Sequence, residues 1–547
     1  MRKVLLVMLS LAIACLPLFA GGQRGGTAAS GPVDYGRRTD GPNYWMVKYD
    51  QPVTLHVANY EIANAPSLPW ETGADNVKTR ALKRYLNIDI VTDWITTQAG
   101  YPEKLNLAIA AGELPDVFKV NAIQFRQLVD AGLLADLTDY ISNNASDYVK
   151  NIMEAAPAVT ESAKINGRLM AIPNYGYGDL YSVSNLWIRH DWMKQAGLPA
   201  PRTIADLENI MKTFMTQHPG SYGMMLTKNL WEMYLLGSAF GVAQNIWVEG
   251  SDGNLVYGNI QPQMKDLVAC WADWYQKGYL RKDFTSMEDT TRAVDVASGK
   301  AGVLLFPNYA GWTFTDVIKN YGPEAYLEPY EVPTRDGKPG VFPIGFDNDM
   351  YIVVNKNCKN IAAVIKSISF TTWVAAEAPG QGALTEDLLG GDVHHTFMVL
   401  EISDPYANGP ELIEWAQEVG RNNGVIKTPP KFLEWQNYYE LQSKPWVDSR
   451  DPAGYARWIQ LFAIPSAASI NLKIINEGRY IRTPLTGPLP EEAAAYGSTL
   501  DDLLNEGFTK IIVGDQPLSY FDTIVAQWKA SGGDVITAAV NRVYGKK

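Results

Sequence analysis

Cysteine, histidine and positive charge are all scarce in this sequence, and each shortage closes off a class of function. Three cysteines among 547 residues cannot build the dense disulfide framework of a small secreted domain. Beyond Cys15 only Cys270 and Cys358 remain, with no clustered histidine to suggest zinc. Two buried free thiols, or one long-range disulfide, are the two readings. The five histidines include His394 and His395, whose adjacent side chains diverge, so a shared metal is not expected. Lysine and arginine number 47 against 59 acidic residues, a formal net charge of -12. That balance argues against nucleic acid or anionic lipid as a partner, since both want a basic face. G-x-S-x-G, H-E-x-x-H and P-loop patterns are also missing. Glu113 and Asp116 lie close together but read as turn and cap, whereas a glycosidase needs two carboxylates across a cleft. The expectation is a protein that is not an enzyme, with no catalytic residues, no metal and no cofactor.

What is abundant points elsewhere. The chain is too long for one core, so two or more lobes are expected. Sixteen tryptophans and 29 tyrosines are plentiful; many will be core, and others should sit where a flat apolar face with a polar tip is useful. Arg2 and Lys3 precede an apolar run from Val4 to Phe19, broken only by Ser10, and Ala20 leads into a glycine-rich stretch. Residues 1–20 read as an export signal cleaved after Ala20, with lipid attachment at Cys15 as the alternative. Losing Arg2 and Lys3 moves the net charge from -12 to about -14. Residues 21–50, rich in Gly with Pro32 and Pro42 and without apolar periodicity, read as a flexible tether.

Order should begin at Val53–Val57, a period-two strand, followed by a helix near Asn76–Tyr85 and a strand at Ile88–Val91. Pro102 can open the next helix, with Leu105, Ala108 and Ile109 on one face. This βαβα order implies a mostly parallel sheet covered by helices. Thr203 and Asp206 fit a capping box ahead of a stripe of Leu207, Ile210, Met211 and Phe214. Val303–Phe306 and Tyr351–Val354 read as buried strands, and Ile361, Val364, Ile365 and Ile368 as one helix face. Phe521, Ile524, Val525 and Trp528 form one late amphipathic stripe; Val535, Ala539, Val540 and Val543 form another.

Several stretches resemble the family-1 extracellular solute-binding proteins, in particular the large oligosaccharide-binding lipoproteins of ABC importers. They are Gly112-Glu-Leu-Pro-Asp-Val-Phe118 with Leu128–Leu137, Leu186–Trp192 with Gly197–Thr203, Gly299–Trp312, and Ile511–Asp522 with Trp528, Gly532-Gly533 and Val540-Asn541. Their consistent order over roughly residues 53–547 carries the resemblance. It implies an α/β fold of the two-lobed, class II periplasmic-binding-protein type, its lobes joined by several hinge crossovers, with ligand held between them and handed to an ABC permease. Lobe 1 is expected at 51–173 with 347–375 returning to it, and lobe 2 at 174–346 with much of 376–547. The expected protein is exported, to the periplasm or another extracytoplasmic space, and works as a monomer. Two departures from the family pattern matter. Val120 and Ile123 stand where maltose-type binders carry an aromatic and a carboxylate, which passes any contact there to Asn121 or Gln124. The Gln217–Tyr222 loop has no carboxylate where many large relatives have an acidic loop, so calcium is not expected there.

A sugar offers apolar C–H faces and a rim of hydroxyls, so its site needs flat aromatics plus side chains that donate and accept. Trp312, in a strand-exit loop after Pro307, is the leading candidate. Asn174, Tyr175 and Tyr177 lie in a Pro- and Gly-bounded crossover loop. Trp231 and Tyr234 share one helix face, and core packing explains them equally well. Asp347 and Asn348 follow Gly345-Phe346 at the second crossover, where turn chemistry is the rival explanation. Trp70, after Pro66 and Pro69, and Asn121 complete the set, while Trp187 and Trp192 read as core. Alternatives to an oligosaccharide receptor are a peptide or lipopeptide receptor on the same fold, and a secreted glycan hydrolase.

Overall fold

The computed structural model describes residues 44–61, 72–97, 100–176, 178–346, 348–377, 400–402, 409–430, 433–487, 489–490 and 492–546. Trp70, Tyr177, Asp347, His394 and His395 lie outside them.

Two separate sheets organise the chain. The first has five strands in the order Ile88–Thr97, Val53–Glu61, Val117–Val120, Asn348–Val354 and Ile172–Tyr175. Its first three strands run parallel, as the βαβα pattern requires, because each returns through a helix. Asn348–Val354 runs antiparallel to both its neighbours. Val117–Val120 is buried at every position, Lys119 included, as a central strand must be in a sheet covered on both faces.

The second sheet is antiparallel throughout: Ser184–Arg189 lies between Val303–Pro307 and Leu327–Tyr330. The βαβα order therefore shapes the first sheet and not this one. A third pairing, parallel, joins Phe342–Ile344 to Tyr480–Arg482, so the late chain is stitched to the segment that leads back to the first lobe.

Hydrophobic packing follows the same division. One core gathers Leu55, Val57, Phe118 and Ile172 with Ile352, Val353, Ile365 and Leu400. Another gathers Leu186, Phe214 and Trp271 with Leu504, Phe508, Ile524 and Trp528. Tyr44 and Trp45 are buried in the first core, and Trp45 meets Trp373 edge-on at 5.6 Å. The tether expected over 21–50 therefore stops short of Tyr44. Asn174 and Tyr175 end a strand of the first sheet, so the chain leaves that lobe after Tyr175 rather than at residue 174.

Local signals act as the residues dictate. Thr203 Oγ1 accepts from the Asp206 N–H at 3.1 Å while Asp206 Oδ2 accepts from the Thr203 N–H at 2.9 Å, closing the capping box that starts helix Ile204–Gln217. Within the expected loop 217–222, His218 stacks on Trp192 at 3.9 Å. The last stripe is corrected. Ile536, Ala539 and Val540 are buried, whereas Val535 and Val543 are exposed: the buried stripe of helix Asp534–Tyr544 runs from Ile536 at i, i+3 and i+4, leaving out Val535 in its first turn and Val543 in its last.

Candidate functional site

A cavity of about 800 Å³ opens between the lobes. Asn121, Ala122 and Ile123 reach it from the first lobe, Gly345, Phe346 and Asn348 from the returning crossover, and Asn229 through Asn259 from the second. Thr483, Leu485 and the late helices close the far side.

Each wall has a local cause. Asn121 caps helix Ala122–Asp130: its Oδ1 accepts from the Gln124 N–H at 2.9 Å, which leaves its Nδ2 hydrogens unused by the cap. Gln124 is spent. Its Nε2 donates to Asn106 at 2.8 Å and its Oε1 accepts from the Asn121 N–H, so it is a structural residue here.

Trp231 opens helix Trp231–Leu235. Its ring meets Phe306 edge-on at 5.2 Å, and the Arg292 guanidinium lies 4.7 Å from the ring centre. Tyr234 is buried and donates its hydroxyl to Asn505 Oδ1 at 2.8 Å.

Tyr257 stacks on Trp528 at 5.6 Å and leans on Trp247 at 5.4 Å, giving an aromatic wall. Asn259 fixes Asn245 reciprocally, accepting from its N–H at 2.8 Å and donating to its Oδ1 at 2.7 Å. Asn245 has φ 59°, a left-handed conformation that asparagine tolerates better than most residues. Gly258 lets this turn form, since a Cβ there would sit 1.7 Å from the Ala243 carbonyl oxygen. Gly533 plays the same part below Trp528, whose ring atoms would lie 2.2 Å from an added Cβ.

Helix Glu492–Val513 presents Ala493, Gly497, Leu500, Asp501 and Asn505 to the cavity, a stripe at helical spacing. Asp501 is exposed to the cavity; partial desolvation there, with the like charge of Asp502, raises its carboxyl above the ordinary range. Burial raises the hydroxyls of Tyr234 and Tyr257 too, with Asp501 contributing. Both phenols stay protonated: Tyr234 donates to Asn505, while the Tyr257 oxygen accepts from Asn259 Nδ2 at 3.2 Å.

Of the residues singled out from sequence, the cavity brings together Trp231, Tyr234, Asn121 and Asn348. Trp312 lies elsewhere. It is 49% exposed on the short helix Ala310–Thr313 and borders a separate depression of about 530 Å³ with Asp316, Lys319 and Asp451. Gly311 packs that helix against Ala456 and Ile459, and Arg457 lies 5.0 Å from the indole. Tyr175 is buried, its hydroxyl 2.7 Å from Thr160 Oγ1. It ends a strand where a ring-presenting loop was expected, and Asn174 lies in that strand too.

Sequence reasoning missed Asn229, Asn245, Trp247, Tyr257, Asn259, Asp501 and Asn505, and read Trp528 as part of an apolar stripe. Clusters of asparagine beside aromatics at 245–259 were the available signal. Among the described residues, no three His, Cys, Asp or Glu side chains gather where they could hold a metal.

Comparison with known proteins follows the same line. The family model for bacterial extracellular solute-binding proteins matches residues 72–381. Lipoprotein LipO of Bacillus subtilis is 24% identical over 500 residues, covering 88% of this chain and 91% of that protein. The polygalacturonan/rhamnogalacturonan-binding protein YtcQ of the same organism is 23% identical over 479 residues, covering 84% and 86%. Among solved structures, the alginate-binding protein AlgQ2 without calcium superposes with a TM-score of 0.61 at 17% identity, covering 91% of this chain and 98% of that one. At that identity the likeness shows the fold.

Proposed function

This chain belongs to the bacterial extracellular solute-binding proteins, and from that premise we propose that it captures an oligosaccharide between its lobes for an ABC permease. The observation that supports this reading is the composition of the interlobe cavity. Trp231, Tyr234, Trp247 and Tyr257 offer ring surface, and asparagines from both lobes offer paired donors and acceptors. A cavity near 800 Å³ is also large enough to bury several sugar rings.

A micromolar receptor needs about -8 kcal/mol net of the association cost. One ring contact, worth about 1 kcal/mol beyond its area, and one net hydrogen bond of about 1 kcal/mol fall well short. Contacts from both lobes are therefore needed. Because Asn121 and Asn348 lie across from Trp231 and Tyr257, a guest touching both walls stabilises the closed arrangement by its differential affinity. The family is one of extracellular binders, which fits export and a role in capture rather than turnover; the working unit is a monomer that docks on the permease.

Isothermal titration against a panel of oligosaccharides, paired with solution scattering, tests the proposal. Micromolar heats and a smaller radius of gyration with the bound sugar are expected. No heat with any sugar, or an unchanged outline with every one that binds, would overturn it.

A further inference from the structure

The charge pattern of the cavity narrows its guest. Six of the described lining residues are asparagines (Asn121, Asn229, Asn245, Asn259, Asn348 and Asn505), one is the carboxylate Asp501, and none is Lys, Arg or His. Cations that come near are neutralised in place. Arg292, over Trp231, pairs with the buried Glu232, and Arg482, next to Thr483, pairs with Asp179. Asp501 stands one turn before Asn505 on the cavity face of its helix, and its charged neighbour is the like-charged Asp502.

Resting on the receptor reading above, we propose that the guest is an uncharged glycan and that Asp501 is the residue that rejects uronate-bearing ones. Sugar hydroxyls donate and accept, so asparagine amides and a carboxylate with about four lone-pair sites serve them well. A uronate carboxylate only accepts. It would look for a guanidinium, an ammonium or several N–H groups and would meet the charge of Asp501 instead. Two like charges about 5 Å apart at an effective dielectric of about 20 disfavour binding by roughly 300-fold. The likeness to a polygalacturonan-binding protein therefore does not carry that ligand over to this cavity.

The test compares the intact protein with Asp501→Asn at pH 7. Each is titrated calorimetrically with uncharged tetrasaccharides (cellotetraose, xylotetraose and maltotetraose) and with tetragalacturonate, with thermal melting as the folding control. At least one uncharged sugar should bind the wild type, with tetragalacturonate about 30-fold weaker or more. Asp501→Asn should shrink that ratio by at least about fivefold while melting like the wild type. Tetragalacturonate binding as tightly as the best uncharged sugar overturns the charge inference and leaves the receptor reading standing. A ratio unchanged in Asp501→Asn overturns the role of Asp501. Silence from both sugar classes overturns the receptor reading itself, and this inference with it.

Discussion

Replacing Glu232 by glutamine tests whether a buried ion pair holds the aromatic wall of the cavity. Glu232 is completely buried. Its carboxylate takes the Arg292 Nε–H and the Thr227 N–H, the latter at 3.0 Å. The Thr227 hydroxyl accepts from Arg292 Nη2 at 2.9 Å and lies 2.9 Å from Glu232 Oε2 and 2.8 Å from Asn229 Oδ1, its single hydrogen serving one of the two. Asn229 Oδ1 in turn accepts from the Trp231 N–H at 3.2 Å. A glutamine has one acceptor oxygen, so its amide N–H₂ must face donors on one side and Arg292 loses its buried counter-charge. Breaking a buried pair costs about 3–5 kcal/mol. Arg292 keeps Asp289 at 2.9 Å and one amide bond survives, so the lower end, about 3 kcal/mol, is expected. At about 2–4 °C per kcal/mol for a lobe-sized unit, the melting transition of the second lobe should fall by roughly 6–12 °C in scanning calorimetry. The double variant Glu232→Gln/Arg292→Met removes the stranded cation, so it should melt above the sum of the two single losses. A Glu232→Gln transition within about 1 °C of wild type would refute the reasoning, because it would mean water or relaxation already compensates this pair.

Four further outcomes are expected. A Cβ on Gly497 meets nothing within 4 Å, so Gly497→Leu should keep or gain up to about 1 kcal/mol of helix stability. By filling the cavity it should also weaken sugar binding at least tenfold in titration calorimetry, and undiminished affinity would place the guest elsewhere. For Glu331, burial alone would raise the carboxyl, but hydrogen bonds from Lys473 and Arg479 outweigh it and hold it below the usual range. Its stabilisation is therefore present above the ordinary carboxylate value near 4.3 and is lost as pH falls through the lowered one. The melting gap between wild type and Glu331→Gln should be widest above about pH 5 and close toward about pH 3; a constant gap would contradict the linkage. Cys270 and Cys358 are free and belong to different lobes; burial pushes the Cys358 thiol up to about 12 and the Cys270 thiol higher still. Both should react with a thiol reagent in denaturant without reductant and only slowly in the native protein, whereas no reactive thiol would reveal a disulfide. Intact mass of the exported protein should place its first residue at Gly21, and a lipid-modified Cys15 would overturn cleavage after Ala20.

How far the sequence could be read depended on how local the cause of each feature is. The capping box at Thr203, the stripe Leu207–Phe214 and the strand at Val303–Phe306 each arise from a few consecutive residues, and they lie where their periodicity places them. The buried face of the last helix was read only in part, because Val535, Ala539, Val540 and Val543 make as good an apolar stripe as Ile536, Ala539 and Val540, and only the packing of the neighbouring helices decides between them. Trp231 and Tyr234 could be paired from their spacing, yet nothing nearby tells whether such a pair faces a core or a cavity. The cavity itself is assembled from residues 121–123, 229–259, 345–348 and 483–536, so no single stretch bears its signature. Trp528 illustrates the difficulty. It shares its stripe with Phe521 and Ile524, and only the stacking of Tyr257, brought from some 270 residues earlier, turns that ring from core packing into a wall of the site. Asp501 was missed for a related reason. It stands beside Leu500 on helix Glu492–Val513 but is itself exposed, as is Asp502, so in sequence it reads as part of a solvated face, and only the elements packed around the cavity make it part of the lining.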